Sequence, residues 1–234
     1  MIVNSKWIDP AEGTRKRTEQ EECTVIIAET EHLLLRDFTQ MDIPKRVEWE
    51  TVEREWQNWD GPWVFEGMSE EAHRQRAERF ARELKQFALM HERKSEQDTR
   101  YAFQLELKES GEYIGCISCY CINDHYDYTD DDGYFAFGID IPPVHHRGKG
   151  YGFEALSAAV RYLSAQGLEE MYLQTWSGNV PMVKLAEKLG FTEIQRRKDA
   201  RTVRGFRYDA LTFRKKLLNF KEDTEEMCDP GKGE

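Results

Sequence analysis

The chain has 234 residues, of which 39% are hydrophobic and 12% aromatic, with a formal net charge of −11 at pH 7. That length and apolar content suffice for one large domain or two small ones with a true core. The acidic balance argues against non-specific nucleic-acid binding, which needs a basic surface, and it suits a cationic substrate. No apolar run reaches membrane-spanning length, and residues 1–22 lack the apolar stretch of a signal peptide. A cytoplasmic protein without membrane association is expected.

Residues 1–24 read as a polar arm or an extra edge element, residues 25–220 as the folded domain and residues 221–234 as a polar tail. Residues 32–38 read as the first strand. Val47, Trp49, Val52, Trp56 and Trp59 recur at mostly helical intervals, which predicts one or two short helices before the Gly61-Pro62 break. Ser69 offers an N-cap, with Glu70 and Glu71 in the first turn. Phe80, Leu84, Phe87 and Ala88 then form an apolar stripe, so a helix is predicted to about His91.

Residues 101–107 and 113–122 read as a strand pair joined by a turn over 108–112. Alternation puts Cys119 and Cys121 on one face of the second strand and Cys116 on the other. That is a poor metal site, and reduced structural thiols are expected. The acidic loop 123–132 does not fit a calcium hand. With Gly133 at the sixth loop position, Tyr128 would be the first ligand and Ile139 the twelfth. It reads as a solvated hairpin tip or as an acidic rim that attracts a cationic acceptor. Residues 134–141 read as a strand, followed by a helix over 153–163, a strand over 171–175 and a helix from Asn179. Two last strands cover 191–198 and 206–217. This order predicts an α/β fold with a mixed sheet and helices on its faces.

The most specific segment is Arg147-Gly148-Lys149-Gly150-Tyr151-Gly152. Its glycines let backbone approach a ligand closely, and the helix that starts there supplies unpaired N–H groups and a positive dipole end. A diphosphate fits such a turn. A Walker loop would need Ser or Thr after the lysine, whereas Gly150 follows Lys149. Gly150, Gly152 and Ala155 match a dinucleotide fingerprint. However, Glu169 and Glu170 precede the next strand, where a ribose-binding acid should follow it, and Pro142-Pro143 separates the glycines from the strand before them.

The order of these elements from Ile139 to Phe191 resembles the central motif of the GNAT acetyltransferase superfamily. The matching parts are Gly138-Ile139-Asp140-Ile141, the loop from Arg147 to Gly152, the helix after it, Asn179, and Glu187-Lys188-Leu189-Gly190-Phe191. The looser likeness extends over residues 31–217. The resemblance implies a mostly antiparallel mixed sheet splayed at its centre, with helices on both faces. It implies acetyl-CoA as co-substrate, no metal, and transfer to a primary amine: a protein N-terminus, a polyamine or another small amine. A homodimer is compatible with it. The alternative is a non-catalytic acyl-CoA-binding module.

By the same resemblance, the amides of Gly148, Lys149, Gly150, Tyr151 and Gly152 would cradle the pyrophosphate, with Arg147 adding charge. Ile139 and Ile141 would lie along the pantetheine arm, and Asn179 would hydrogen-bond it, although as an N-cap it needs no such role. Lys184 and Lys188 would face a phosphate or solvent. Many family members carry a tyrosine proton donor where this chain has Ala186. Trp59-Asp60-Gly61-Pro62-Trp63 resembles the subgroup that acetylates N-termini of ribosomal proteins, whose members often have serine where Met182 stands. The donor is then open among Ser177, Cys119 and a water. Asp140, His145 and His146 are candidate bases, with Asp140 and Ser177 favoured as catalytic residues. Trp59 and Trp63, beside the Gly-Pro turn, would line the acceptor pocket.

Overall fold

The computed structural model describes residues 24–95 and 97–217. In chain order the strands are β1 (Ile26–Glu29), β2 (Leu33–Arg36), β3 (Phe103–Leu107), β4 (Tyr113–Ile122), β5 (Tyr128–Thr129), β6 (Tyr134–Asp140), β7 (Glu170–Trp176), β8 (Thr192–Val203) and β9 (Phe206–Lys216). The helices are α1 (Ile43–Thr51), α2 (Pro62–Phe65), α3 (Glu70–Glu92), α4 (Tyr151–Ala165) and α5 (Val180–Lys188). One sheet runs in the order β1-β2-β3-β4-β6-β7-β9-β8, and β5 pairs with β4 beside it. Only β6 and β7 pair in parallel; every other strand pair described is antiparallel. The expected α/β architecture is therefore present. No helix among the described residues is long and apolar enough to cross a membrane.

Local signals account for most elements. Ser69 caps α3 as expected, its side-chain oxygen accepting from the Ala72 N–H at 3.2 Å. Leu84 and Ala88 of the apolar stripe are buried against Phe38, with Phe80 and Phe87 packed beside them. Strand β1 was not anticipated as a strand. It pairs with β2 at the sheet edge, with a bulge between Ile26 and Ala28. Strand β8 runs on to Val203, five residues beyond the expected end at 198. Apart from Thr24, the predicted arm over 1–24 and the predicted tail over 221–234 lie outside the described residues.

The two faces of the sheet are covered differently. Phe137 and Ile139 of β6 pack with Ala155, Leu156 and Leu185 of α4 and α5 in the main core. Helix α1 covers the other face: the Trp49 ring lies 4.7 Å from that of Tyr113, and Arg46 Nη1 donates to Cys116 Sγ at 2.7 Å. Two buried ionic clusters fix the β2 end of the sheet. Arg36 pairs with Asp42 at 2.7 Å and with Glu106 at 2.8 Å. Arg100, only 2% exposed, pairs with Asp37 at 3.0 Å.

Candidate active site

In the loop between β6 and α4 the backbone turns at two glycines. Gly148 and Gly150 take φ of +73° and +91°, a region that side-chain-bearing residues rarely adopt. Gly150 is the residue before α4, and no side chain caps that helix start. Its first-turn N–H groups are thus not capped from the side. A Cβ on Gly148 or Gly150 would meet nothing within 4 Å, so the space above the loop is open. Gly152 is different. A Cβ there would come within 3.4 Å of Leu185 and 4.0 Å of Ile139, where α4, α5 and β6 converge.

Arg147 does not stand free beside this loop. Its Nε donates to the Ile141 carbonyl and Nη2 to the Pro142 carbonyl, both at 2.7 Å, while Nη1 pairs with Glu55. The guanidinium straps the loop entry to the end of β6. Lys149 is exposed, and the Tyr151 ring sits between His32 and His146 at 5.9 and 6.2 Å. Lys184 is solvent-exposed, and Lys188 Nζ lies 4.2 Å from the Phe153 ring centre.

The sheet opens beside this loop. Parallel rungs join β6 and β7 at Ala136–Tyr172 and Phe137–Leu173 and go no further. Gly138, Ile139 and Asp140 remain paired with β4 on one side and have no β7 rung on the other. Across the gap, the Trp59 carbonyl accepts from Trp176 Nε1 at 2.8 Å and from Asn179 Nδ2 at 3.1 Å. Asn179 Oδ1 caps α5 by accepting from the Met182 N–H at 3.2 Å. The segment from Trp59 to Trp63 is thereby held over the end of β7. Trp59 Nε1 donates to Glu55 at 3.0 Å, and Trp63 meets Trp176 edge-on at 6.4 Å. Sequence reasoning missed Trp176 and Tyr208, whose rings lie 4.8 Å apart in the same aromatic group. A signal existed for Trp176, which ends an apolar strand and is followed by Ser-Gly. Gly178 leaves space for that indole, since a Cβ there would stand 1.8 Å from a ring carbon.

Strand alternation decides the face of Asp140. Ile139 points to α4 and α5, so Asp140 points to the α1 side with Arg46 and Cys116. Burial of its carboxyl pushes its pKa up to about 8; the nearby Asp60 charge adds to the rise, and Arg46 opposes it. Burial also pushes the Cys116 thiol up to about 11 and the Cys119 thiol up to about 12. Passing a proton from Cys119 to an ordinary thiolate would be uphill by roughly 5 kcal/mol. Cys119 is therefore a poor donor.

Ser177 lies just past β7. Its Oγ accepts from the Asp209 N–H at 3.0 Å, and its N–H donates to the Asp209 carbonyl at 2.9 Å. The hydroxyl proton remains available. Ala186 is fully buried in the main core, so no side chain at that position can serve as donor. His145 is largely exposed, while His146 is buried, and both lie nearest Glu112. A cavity of about 220 Å³ lies between Phe65, His73, Glu66 and Arg204, and none of the expected site residues lines it.

A splayed sheet with a glycine loop at a helix start defines an acetyltransferase of the GNAT class. The family model for the "Acetyltransferase (GNAT) domain" matches residues 32–192. The chain belongs to this family. Comparison with curated proteins yields no significant match. Solved structures of similar fold include a ribosomal-protein-S5-alanine acetyltransferase from Vibrio fischeri, 18% identical at a TM-score of 0.60, covering 82% of this chain and 97% of the other. A RimL ribosomal L7/L12 α-N-protein acetyltransferase in complex with coenzyme A is 17% identical at 0.59, covering 83% and 99%. A spermidine N-acetyltransferase from Vibrio cholerae, bound to CoA and spermine, is 20% identical at 0.54, covering 79% and 95%.

Proposed function

We propose that this protein transfers the acetyl group of acetyl-CoA to a primary amine, and that it favours an α-amino group, such as a protein N-terminus, over an alkyl amine. The carrying observation is the juxtaposition of the open β6 edge with the uncapped start of α4. The amides of Gly148, Lys149, Gly150, Tyr151 and Gly152 hold the diphosphate. The pantetheine arm lies along Gly138, Ile139 and Ile141, bringing the thioester to Asp140. Arg147 acts by shaping the loop, because its donors are already engaged.

In the reaction, the neutral amine attacks the thioester carbon and the C–S bond breaks as the tetrahedral intermediate collapses. The nitrogen loses one proton and the departing sulfur gains one. Asp140, with a pKa of about 8, is matched to both steps, since an ordinary thiol titrates at about 8.5. The Ser177 hydroxyl can hydrogen-bond the leaving sulfur. Trp59 and Trp63 lie on the acceptor side, and Asn179 both caps α5 and tethers Trp59.

The pKa of the acceptor bears on the rate. An α-ammonium titrates at about 7.7–8.0 and an alkyl ammonium at about 10.4, so the former gives up its proton at roughly 3 kcal/mol less cost whichever base accepts it, and the raised Asp140 carboxyl lowers the cost for both. An ordinary carboxylate would face roughly 9 kcal/mol for the latter. Two of the similar folds act on ribosomal proteins and one is a spermidine N-acetyltransferase. Thiol release from acetyl-CoA at pH 7.5 tests the preference, using a lysine-free peptide with a free N-terminus against spermidine. The peptide is expected to react with the higher kcat/KM. A faster reaction with spermidine overturns the preference. Binding of CoA with no turnover for any amine points instead to the non-catalytic module.

The loop assignment has its own test. In Gly150→Glu, a carboxylate about 4 Å from a phosphate charge costs roughly 4 kcal/mol at an effective dielectric constant of 20. Calorimetry with CoA should show roughly a thousandfold loss of affinity. Gly150→Ala bears the same backbone strain without the charge and should lose much less. Equal affinities for Gly150→Glu and the native protein would remove the loop from the site.

A further inference from the structure

We propose that Glu112, His145 and His146 form a site for a divalent transition-metal ion of the zinc class, outside the reaction centre. The inference does not depend on acetyl transfer. His145 and His146 belong to a 3-10 turn, Val144–His146, that leads into the glycine loop. Glu112 ends the turn between β3 and β4, its carbonyl accepting from the Leu107 N–H at 2.9 Å. One ligand atom from each residue lies within 4.8 Å of the other two. Nε2 of His146 is 3.1 Å from Glu112 Oε2, and Nε2 of His145 is 3.8 Å from Glu112 Oε1. The two imidazole rings lie side by side, with centroids 4.0 Å apart.

These separations suit a shared ion. Ligand atoms about 2.0–2.1 Å from a tetrahedral zinc stand roughly 3.3 Å from one another. The His146–Glu112 contact of 3.1 Å already stands near that separation; the His145–Glu112 contact of 3.8 Å must close by about 0.5 Å, and the histidine nitrogens, within 4.8 Å of each other, must draw together, which the exposed Glu112 and His145 side chains allow. Two imidazoles and one carboxylate make a borderline donor set that suits zinc or cobalt better than calcium or magnesium. Three protein ligands leave the fourth position to water.

A second observation points the same way. The His146 side chain is 7% exposed, yet neither of its ring nitrogens makes a hydrogen bond among the described residues. The Glu112 oxygen is near Nε2 but lies outside hydrogen-bonding geometry. A buried polar group left unsatisfied costs about 1–3 kcal/mol. An ion at the centre of the triangle gives Nε2 a partner. It also cross-links the β3–β4 turn to the segment that enters the glycine loop. In this arrangement the histidines are ligands, not bases.

The test uses the tag-free full chain, freed of metal with a chelator. ZnCl2 is titrated by calorimetry, and CoCl2 is followed by visible absorption. One zinc per chain is expected, with cobalt bands free of thiolate charge transfer. Glu112→Gln and His145→Ala change exposed side chains and should leave the fold intact by circular dichroism. Each should weaken zinc binding by more than the roughly 10–100-fold that loss of an outer partner costs. Zinc should raise the melting temperature of the native protein and not that of the variants. Absence of a binding heat overturns the proposal. So does zinc binding by the two variants as tight as that of the native protein, or a thiolate band, which would assign the ion to cysteines.

Discussion

Asp140→Asn is expected to lower kcat by roughly 10²–10⁴-fold, the range that a positioned general base contributes. The amide keeps the shape of the carboxyl and cannot accept the proton. In the native protein the rate should rise with pH and level off above the Asp140 pKa of about 8. The variant should lose that rise. A fold defect is separable from this effect by its sign. The folded pKa of Asp140 lies above its unfolded value near 3.9, so its contribution to stability is fully present below that value and is lost as pH rises through about 8. Asparagine carries no charge to penalise. At pH 8–9 the variant should therefore melt no lower than the native protein. Retention of native kcat and of the native pH profile by Asp140→Asn would remove the carboxyl from the reaction.

Arg100→Met should produce the largest loss of stability. Nε donates to both Asp37 oxygens at 3.2 and 3.1 Å, and Nη2 donates to Oδ2 at 3.0 Å. Nη1 reaches the Ser95 and Asp98 carbonyls, both at 2.5 Å. Removing the cation leaves Asp37 buried and uncompensated, a cost of about 3–5 kcal/mol. For a domain of this size, with about 2–4 °C per kcal/mol, the melting temperature should fall by roughly 6–20 °C. The double variant Asp37→Leu/Arg100→Met removes both charges and should regain much of the loss. Scanning calorimetry of the native protein, the single variant and the double variant measures both effects. A single variant that melts within about 2 °C of the native protein would mean that the pair contributes little.

The sequence spoke most clearly where the constraint was local. Ser69 before two glutamates, the stripe from Phe80 to Ala88, and the glycines at 148 and 150 each state a backbone requirement within a few residues. The cap and the stripe took the expected form, and the two glycines take positive φ. Contacts between distant segments were not legible. Nothing near Asn179 signals that its amide meets the Trp59 carbonyl across 120 residues. Arg147 looked like a free cation because two of its partners are main-chain oxygens, which every residue has, and the third, Glu55, lies 92 residues away. Asp140 could be placed near the cleft, but its face depended on how β6 sits between helices on either side. Strand β1 escaped notice because its apolar run is short and lies beside a charged stretch.

The sheet interrupts its own hydrogen-bonding midway across its width, not at a rim. A bare rim recruits any extended chain that drifts past, which is how sheets grow into aggregates. Here the unspent amides and carbonyls lie in a recess, with α1 roofing one side and α4 and α5 the other. A neighbouring chain reaches a walled recess less easily than it reaches a rim. Such a cut can stay adhesive toward a cofactor tail without making neighbouring molecules stick together.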